Sequence, residues 1–197
     1  MSKAWIETAS GLKFDVLNPR LEQITIEDIG HALSQVCRFA GHTKYFYSVA
    51  QHSYLGSFLV PEKDSLWFLL HDASEAYLGD MSSPLKHLTK AGEAYLPIEE
   101  RIMQVICEKF NLPLAQPPSI RAADIAMLHA EKEQLMGSVV WDRKRGKLIK
   151  PAEVKIKELT PRKIEKLFLN RFAELTKKEN HGRNRCAIPN GNLRCMQ

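Results

Sequence analysis

Residues 69–80 read LLHDASEAYLGD, and the fold turns on how the middle of that stretch is taken. Trp67, Phe68, Leu69 and Leu70, just before His71, are all bulky and apolar, so the chain there heads into a core. A helix is expected to follow Asp64 as N-cap and to run to about Leu78, with Gly79 as its C-cap. On such a helix His71 and Glu75 lie one turn apart and Asp72 sits about 100° round from His71, so all three share a broad face. Burying a carboxylate without a partner is costly, and two neighbouring carboxylates repel. A divalent cation resolves both problems, because it supplies positive charge and accepts the imidazole lone pair.

One helix offers too few ligands, so others must come from elsewhere in the chain. His52, in SVAQHSYLGS, sits among apolar and small residues on the preceding expected helix, and Asp124, in RAADIAMLHAE, sits among alanines and apolar residues. His52, His71, Asp72 and Asp124 would form a mixed nitrogen and oxygen site suited to Mn²⁺, Fe²⁺, Co²⁺, Ni²⁺ or Zn²⁺. With four protein ligands, an octahedral ion keeps positions for water and substrate, the arrangement used in metal-assisted hydrolysis.

Outward from this centre the signals are mostly helical. Residues 4–17 (AWIETASGLKFDVL) read as a short β-hairpin turning at Ser10-Gly11. A helix then starts in TIEDIGHALSQVCRF, where Thr25 and Asp28 resemble a capping box and Ile26, Ile29, Leu33 and Val36 form an apolar stripe. A second helix is expected over Phe46–Val60, and the third is the one carrying His71. A fourth runs through PIEERIMQVICEKF with Pro97 in its first turn, and a fifth starts near Pro118. A sixth, PRKIEKLFLNRFAEL, opens at Thr160-Pro161, and VVWDRKRGKLIK reads as a small hairpin between the last two. The expectation is an all-α domain over residues 1–176 with a short N-terminal hairpin, followed by a basic tail over 177–197.

The bulk properties fit that outline. The chain has 197 residues, 44% hydrophobic and 26% charged, ordinary for a globular protein. Cys37, Cys107, Cys186 and Cys195 show neither CxxC nor metal-finger spacing, which reads as reduced thiols in a cytoplasmic protein. No apolar run approaches the roughly 20 residues of a membrane span. The net charge of +5 is concentrated at the C-terminus, where Lys177, Lys178, Arg183, Arg185 and Arg194 face Glu179 alone. Such an end reads as solvated and poorly ordered, so no stable nucleic-acid partner is expected.

The order His52 … His71-Asp72 … Asp124 resembles the HD-domain metal-dependent phosphohydrolases, which are all-helical and use an H…HD…D set as metal ligands. HDASEAYLGDMSSPLK (71–86) is similar to the longer HD-x-x-E-A-x-x-G-D-x-x-x-P-x-K run of the 5′-deoxynucleotidase branch. WIETASGLKFDVLNP and IGHALSQVCRFAGHTKYFYSVAQHS look like a phage and prophage group within that branch, which includes triphosphohydrolases acting on dATP. The resemblance covers roughly residues 4–136.

The resemblance implies an HD-domain bundle hydrolysing deoxynucleoside triphosphates, dATP first, at the α-phosphate to deoxynucleoside and triphosphate. A 5′-deoxynucleotidase acting on monophosphates is the alternative, and a non-catalytic nucleotide-binding module is the second. The cofactor is a divalent ion, its identity open among Co, Mn, Zn, Ni, Fe and Mg, with a second ion conceivable alongside a triphosphate. Glu75 is assigned to catalysis, orienting or deprotonating the attacking water. Asp80 matches the aspartate that contacts the sugar and helps to exclude a 2′-hydroxyl. Arg38 and Lys86 match phosphate ligands, and Phe39 stands where the bacterial enzymes carry a tryptophan on the base-packing surface. His42, in AGHTKYF, is a further candidate for the phosphates or the base. A homo-oligomer is expected, in the host cytoplasm if the gene is carried by a phage.

Overall fold

The computed structural model describes residues 4–137 and 149–183, with backbone alone over 178–183. Strands β1 (Trp5–Glu7) and β2 (Lys13–Asp15) pair antiparallel in the register Trp5↔Asp15, Ile6↔Phe14 and Glu7↔Lys13. The hairpin closes at the expected place, where the Gly11 N–H bonds the Thr8 carbonyl at 2.9 Å with Gly11 in the left-handed region.

Eight helices follow among the described residues: α1 (Ile26–Gln35), α2 (Val49–Gly56), α3 (Ser65–Leu70), α4 (Glu75–Leu78), α5 (Ser83–Leu88), α6 (Lys90–Lys109), α7 (Pro118–Leu135) and α8 (Pro161–Arg183). The mostly helical architecture with a two-stranded N-terminal sheet is as expected. Helix α8 packs across α1, α2 and α3, while α7 lies against α2 and α5 against α6. The main core joins Phe14 of the hairpin to Ile29 and Leu33 of α1, Leu69 and Leu70 of α3, Ile102 and Ile106 of α6, and Ile164 and Phe168 of α8. A smaller cluster around Trp67, Phe68, Ile120 and Met127 joins α3 to α7.

Several boundaries differ from the expectation, each for a local reason. The Thr25 hydroxyl caps α1 by accepting from the Asp28 N–H at 3.1 Å, but the Asp28 carboxylate does not complete a capping box on the Thr25 backbone N–H. It accepts instead from Thr8, Ser10 and Thr25, tying the hairpin turn to the helix. The second helix is shorter than expected, because Ser48 caps it by accepting from the Gln51 N–H at 3.2 Å. Asp64 makes no cap bond to α3 and accepts from Ser119 instead.

The expected continuous helix from 64 to 78 breaks at 71–74, where Ala73 and Glu75 bond the carbonyls of Leu70 and Asp72 three residues back. Pro97 lies inside α6, whose cap is Thr89, and the short α5 went unread. Helix α8 begins at Pro161 as expected and continues past residue 176 to Arg183. The expected hairpin in 139–150 and the tail beyond 183 lie essentially outside the described residues. No helix among those described is long and apolar enough to cross a membrane.

Candidate metal centre

The break in the helix at 71–74 governs the site. In the tightened turn the Phe68 carbonyl accepts twice from His71, from the backbone N–H at 3.4 Å and from the Nδ1–H at 2.7 Å. The latter bond fixes the ring so that Nε2 faces inward, 3.1 Å from Asp72 Oδ2. His52 comes from the middle of α2 and is 0% exposed. Its Nδ1 lies 2.6 Å from Glu131 Oε1, and its Nε2 lies 3.3 Å from His71 Nε2. One ligand atom each from His52, His71 and Asp72 falls within 4.8 Å of the others, a group able to hold a metal ion.

Asp124, on α7, touches this group through His52 alone, with Oδ1 3.2 Å from Nε2. Its side chain is 42% exposed, so it forms the rim of the cluster rather than its floor.

The donor chemistry fits a divalent cation. Both imidazoles have their outer nitrogen anchored, which dedicates the inner nitrogens to the centre. Burial and Arg38 push the His52 imidazole down, but Glu131 and Asp124 outweigh them and hold it at about 9. In the metal-free chain a proton on His52 Nε2 therefore stands where a metal ion would bind. Burial pushes Asp72 up, but His71, His52 and Arg38 more than offset it and hold its carboxyl well below the usual range.

Arg38 reaches the cluster from the bend after α1. Backbone bonds of 3.0 Å, from Arg38 to Tyr47 and from Val49 to Val36, tie that bend to the start of α2. Phe39, Ala40 and Gly41 then follow with φ of 54°, 50° and 79°. Two consecutive non-glycine residues in the left-handed region cost about 1–2 kcal/mol each, and the turn presents Phe39 to an adjoining cleft. The Arg38 guanidinium bonds Glu131 Oε2 at 3.2 Å and lies 3.5 Å from Asp72 Oδ2, while its Nε is buried with no hydrogen-bond partner.

Two clefts flank the centre. One, of about 650 Å³, is lined by Arg38, Phe39, Asp80, Lys86 and Asp124 among others. The second, of about 550 Å³, is lined by His71, Asp72, Lys86, Trp67 and Glu99 among others. Lys86 borders both, but its ammonium is already bonded to Glu99 at 2.6 Å. His42 is exposed on the bend and lines neither cleft, so the structure does not bring it to the site.

Glu75, at the start of α4, is 6% exposed and its Oε2 is buried with no hydrogen-bond partner. Burial raises its carboxyl first, Asp72 and Asp80 add to that, and it reaches about 10. Asp80 follows the Gly79 cap, and burial raises its carboxyl too.

The sequence reading missed Glu131, which is 0% exposed and bonds His52, Arg38 and Tyr47. Its signal was its place two helical turns past Asp124 on one face of α7. The surrounding AEKEQ reads as an ordinary solvated charge run.

The chain is 43% identical over 132 residues to the uncharacterized protein YfdR of Escherichia coli K12, spanning 67% of this chain and 72% of that protein. This chain belongs to the YfdR family. A second relative, an uncharacterized protein of Rhodobacter capsulatus, is 38% identical over 150 residues, or 70% of this chain and 76% of that protein. No family model matches the chain.

Proposed function

We propose that this member of the YfdR family is an HD-domain metal-dependent phosphohydrolase that cleaves the P–O5′ bond of deoxynucleotides. Deoxynucleoside triphosphates, dATP first, are the leading substrates, with deoxynucleoside and triphosphate as products. The supporting observation is the convergence of His52, His71 and Asp72 ligand atoms within 4.8 Å, with His71 and Asp72 lining one cleft and Asp124 and Arg38 the other.

His52, His71 and Asp72, with Asp124 at the rim, are the residues that would hold a divalent ion. Such an ion, when bound, supplies Lewis acidity toward a phosphoryl oxygen and acidifies water. The donor set suits any of several first-row divalents.

Glu75 orients the attacking water and takes its proton as the water oxygen bonds to the α-phosphorus. The P–O5′ bond breaks, and the departing 5′-oxygen receives that proton. Burial first, and then the charges of Asp72 and Asp80, hold Glu75 protonated near neutral pH. A cation held by Asp72 would offset the second of these causes and favour the carboxylate form that accepts a proton. Asp80 meets the sugar and Phe39 the base, while Lys86 meets phosphate once it leaves Glu99.

One observation favours the monophosphate as a second reading. A triphosphate carries about four negative charges and demands several donors, yet Arg38 is paired with Asp72 and Glu131, and Lys86 with Glu99. Incubating the Mn²⁺-loaded protein with every deoxynucleoside mono- and triphosphate separates the readings. Triphosphate released from dATP supports the first, and orthophosphate released from monophosphates alone supports the second. Absence of turnover with all of them sinks both and leaves a nucleotide-binding module.

A further inference from the structure

Glu131 is a carboxylate buried at 0% exposure on the inner face of α7. Burying an ionised group costs several kcal/mol even when it is paired, and apolar residues of similar volume often serve stability as well or better. Stability alone therefore does not account for an ionised group at this position, and its contacts supply a role. Oε1 accepts from the Tyr47 hydroxyl at 2.8 Å and lies 2.6 Å from His52 Nδ1. Oε2 accepts from Arg38 Nη2 at 3.2 Å, and the other terminal nitrogen of that guanidinium lies 3.5 Å from Asp72 Oδ2. A single carboxylate thus reaches two members of the cluster, His52 directly and Asp72 through Arg38.

We infer that Glu131 is a positioning residue for the metal centre, holding the proton of His52 on Nδ1 so that Nε2 is the ligand atom, and seating Arg38 against Asp72. The inference rests on the metal-binding reading above and assigns Arg38 to the scaffold of the centre rather than to phosphate. Tyr47, fully buried and bonded to the same oxygen, keeps the carboxylate from rotating away from His52. Partners of this kind orient the imidazole and raise its basicity, and losing one typically weakens metal binding about 10–100-fold.

The test is calorimetric titration of the metal-free protein with Mn²⁺, beside thermal melting of the same metal-free samples. Glu131→Gln keeps an oxygen for His52 but loses the charge and turns an amino group toward Arg38 or Tyr47, so it should weaken Mn²⁺ binding about 10-fold. Glu131→Ala should weaken it about 100-fold, and if the alanine variant does not fold, the glutamine variant decides alone. A dissociation constant in Glu131→Gln equal to that of the unaltered protein overturns the inference, as does a lowered melting temperature with unchanged Mn²⁺ affinity. Failure of the unaltered protein to bind Mn²⁺ removes the metal reading itself and this inference with it.

Discussion

The Nε2 atoms of His52 and His71 stand 3.3 Å apart, and each ring is held there through its other nitrogen. For His52 that partner is Glu131, and for His71 it is the Phe68 carbonyl. Two imidazoles fixed edge to edge need a positive charge between them, and Asp72 and Asp124 border the same gap. Without a cation, a proton on His52, whose imidazole is held at about 9, supplies that charge.

That proton makes metal binding pH-dependent. His52 is raised to about 9, and a metal ion must displace its Nε2 proton, so Mn²⁺ affinity should climb about tenfold per pH unit toward pH 9 and then level off. Calorimetry across a pH series checks this, and a flat profile between pH 7 and 9 would contradict it.

Glu75→Gln separates chemistry from binding. The folded carboxyl sits at about 10 against an ordinary 4.5, so between those values ionisation favours the unfolded state and the metal-free protein loses stability as pH rises. Glutamine removes that loss and should stabilise the metal-free protein at neutral pH by about 1–3 kcal/mol. Turnover should fall about 10²–10⁴-fold with Mn²⁺ still bound. Loss of the metal in this variant would make Glu75 a ligand instead.

Gly56→Ala tests the packing behind the two histidines. A Cβ at Gly56 would stand 2.0 Å from Phe68 Cε1 and 2.3 Å from Cζ, and Phe68 is fully buried with no room to swing. That ring lies 4.5 Å from the His71 ring and 5.8 Å from the His52 ring, centroid to centroid. Overpacking costs about 1–3 kcal/mol, against a helix-propensity gain near 1 kcal/mol. Denaturant melts should show a net loss of stability, accompanied by weaker Mn²⁺ binding. A stabilised variant would mean that the α2–α3 contact is looser than described.

Asp28 links acid stability to the hairpin. Burial raises its carboxyl, but hydrogen bonds from Ser10, Thr25 and Thr8 outweigh that and hold it below the ordinary value. Its contribution is therefore complete above the unfolded value of about 3.9 and disappears as pH falls through the lower folded value. Asp28→Ala should cost about 1–3 kcal/mol at pH 7, because the partly buried bonds from Thr8, Ser10 and Thr25 lose their shared acceptor, and the deficit should shrink at pH 3. A deficit independent of pH would assign the effect to packing alone.

The contrast between Asp28 and Glu131 shows how much of the molecule the sequence made legible. Hairpin, helix faces and caps such as Thr25 and Thr160 follow local rules, so they were readable from neighbouring residues. His52, His71 and Asp72 were readable because a polar residue in an apolar run demands a partner. The break at 71–74 was not, since the spacing of Leu70, Ala73 and Tyr77 continues the helical pattern across it. Pairings between distant segments were equally hidden. Arg38 and Lys86 read as free cations because Glu131 and Glu99, which neutralise them, lie 93 and 13 residues away.

The most direct test is the metal stoichiometry of the unaltered protein beside His71→Ala and Asp72→Asn. Metal-free chains titrated with Mn²⁺ and then passed through a desalting column should retain one ion per chain in the unaltered protein and essentially none in either variant. An unaltered protein that retains no ion, or variants that retain it equally well, would contradict a metal centre built on His52, His71 and Asp72.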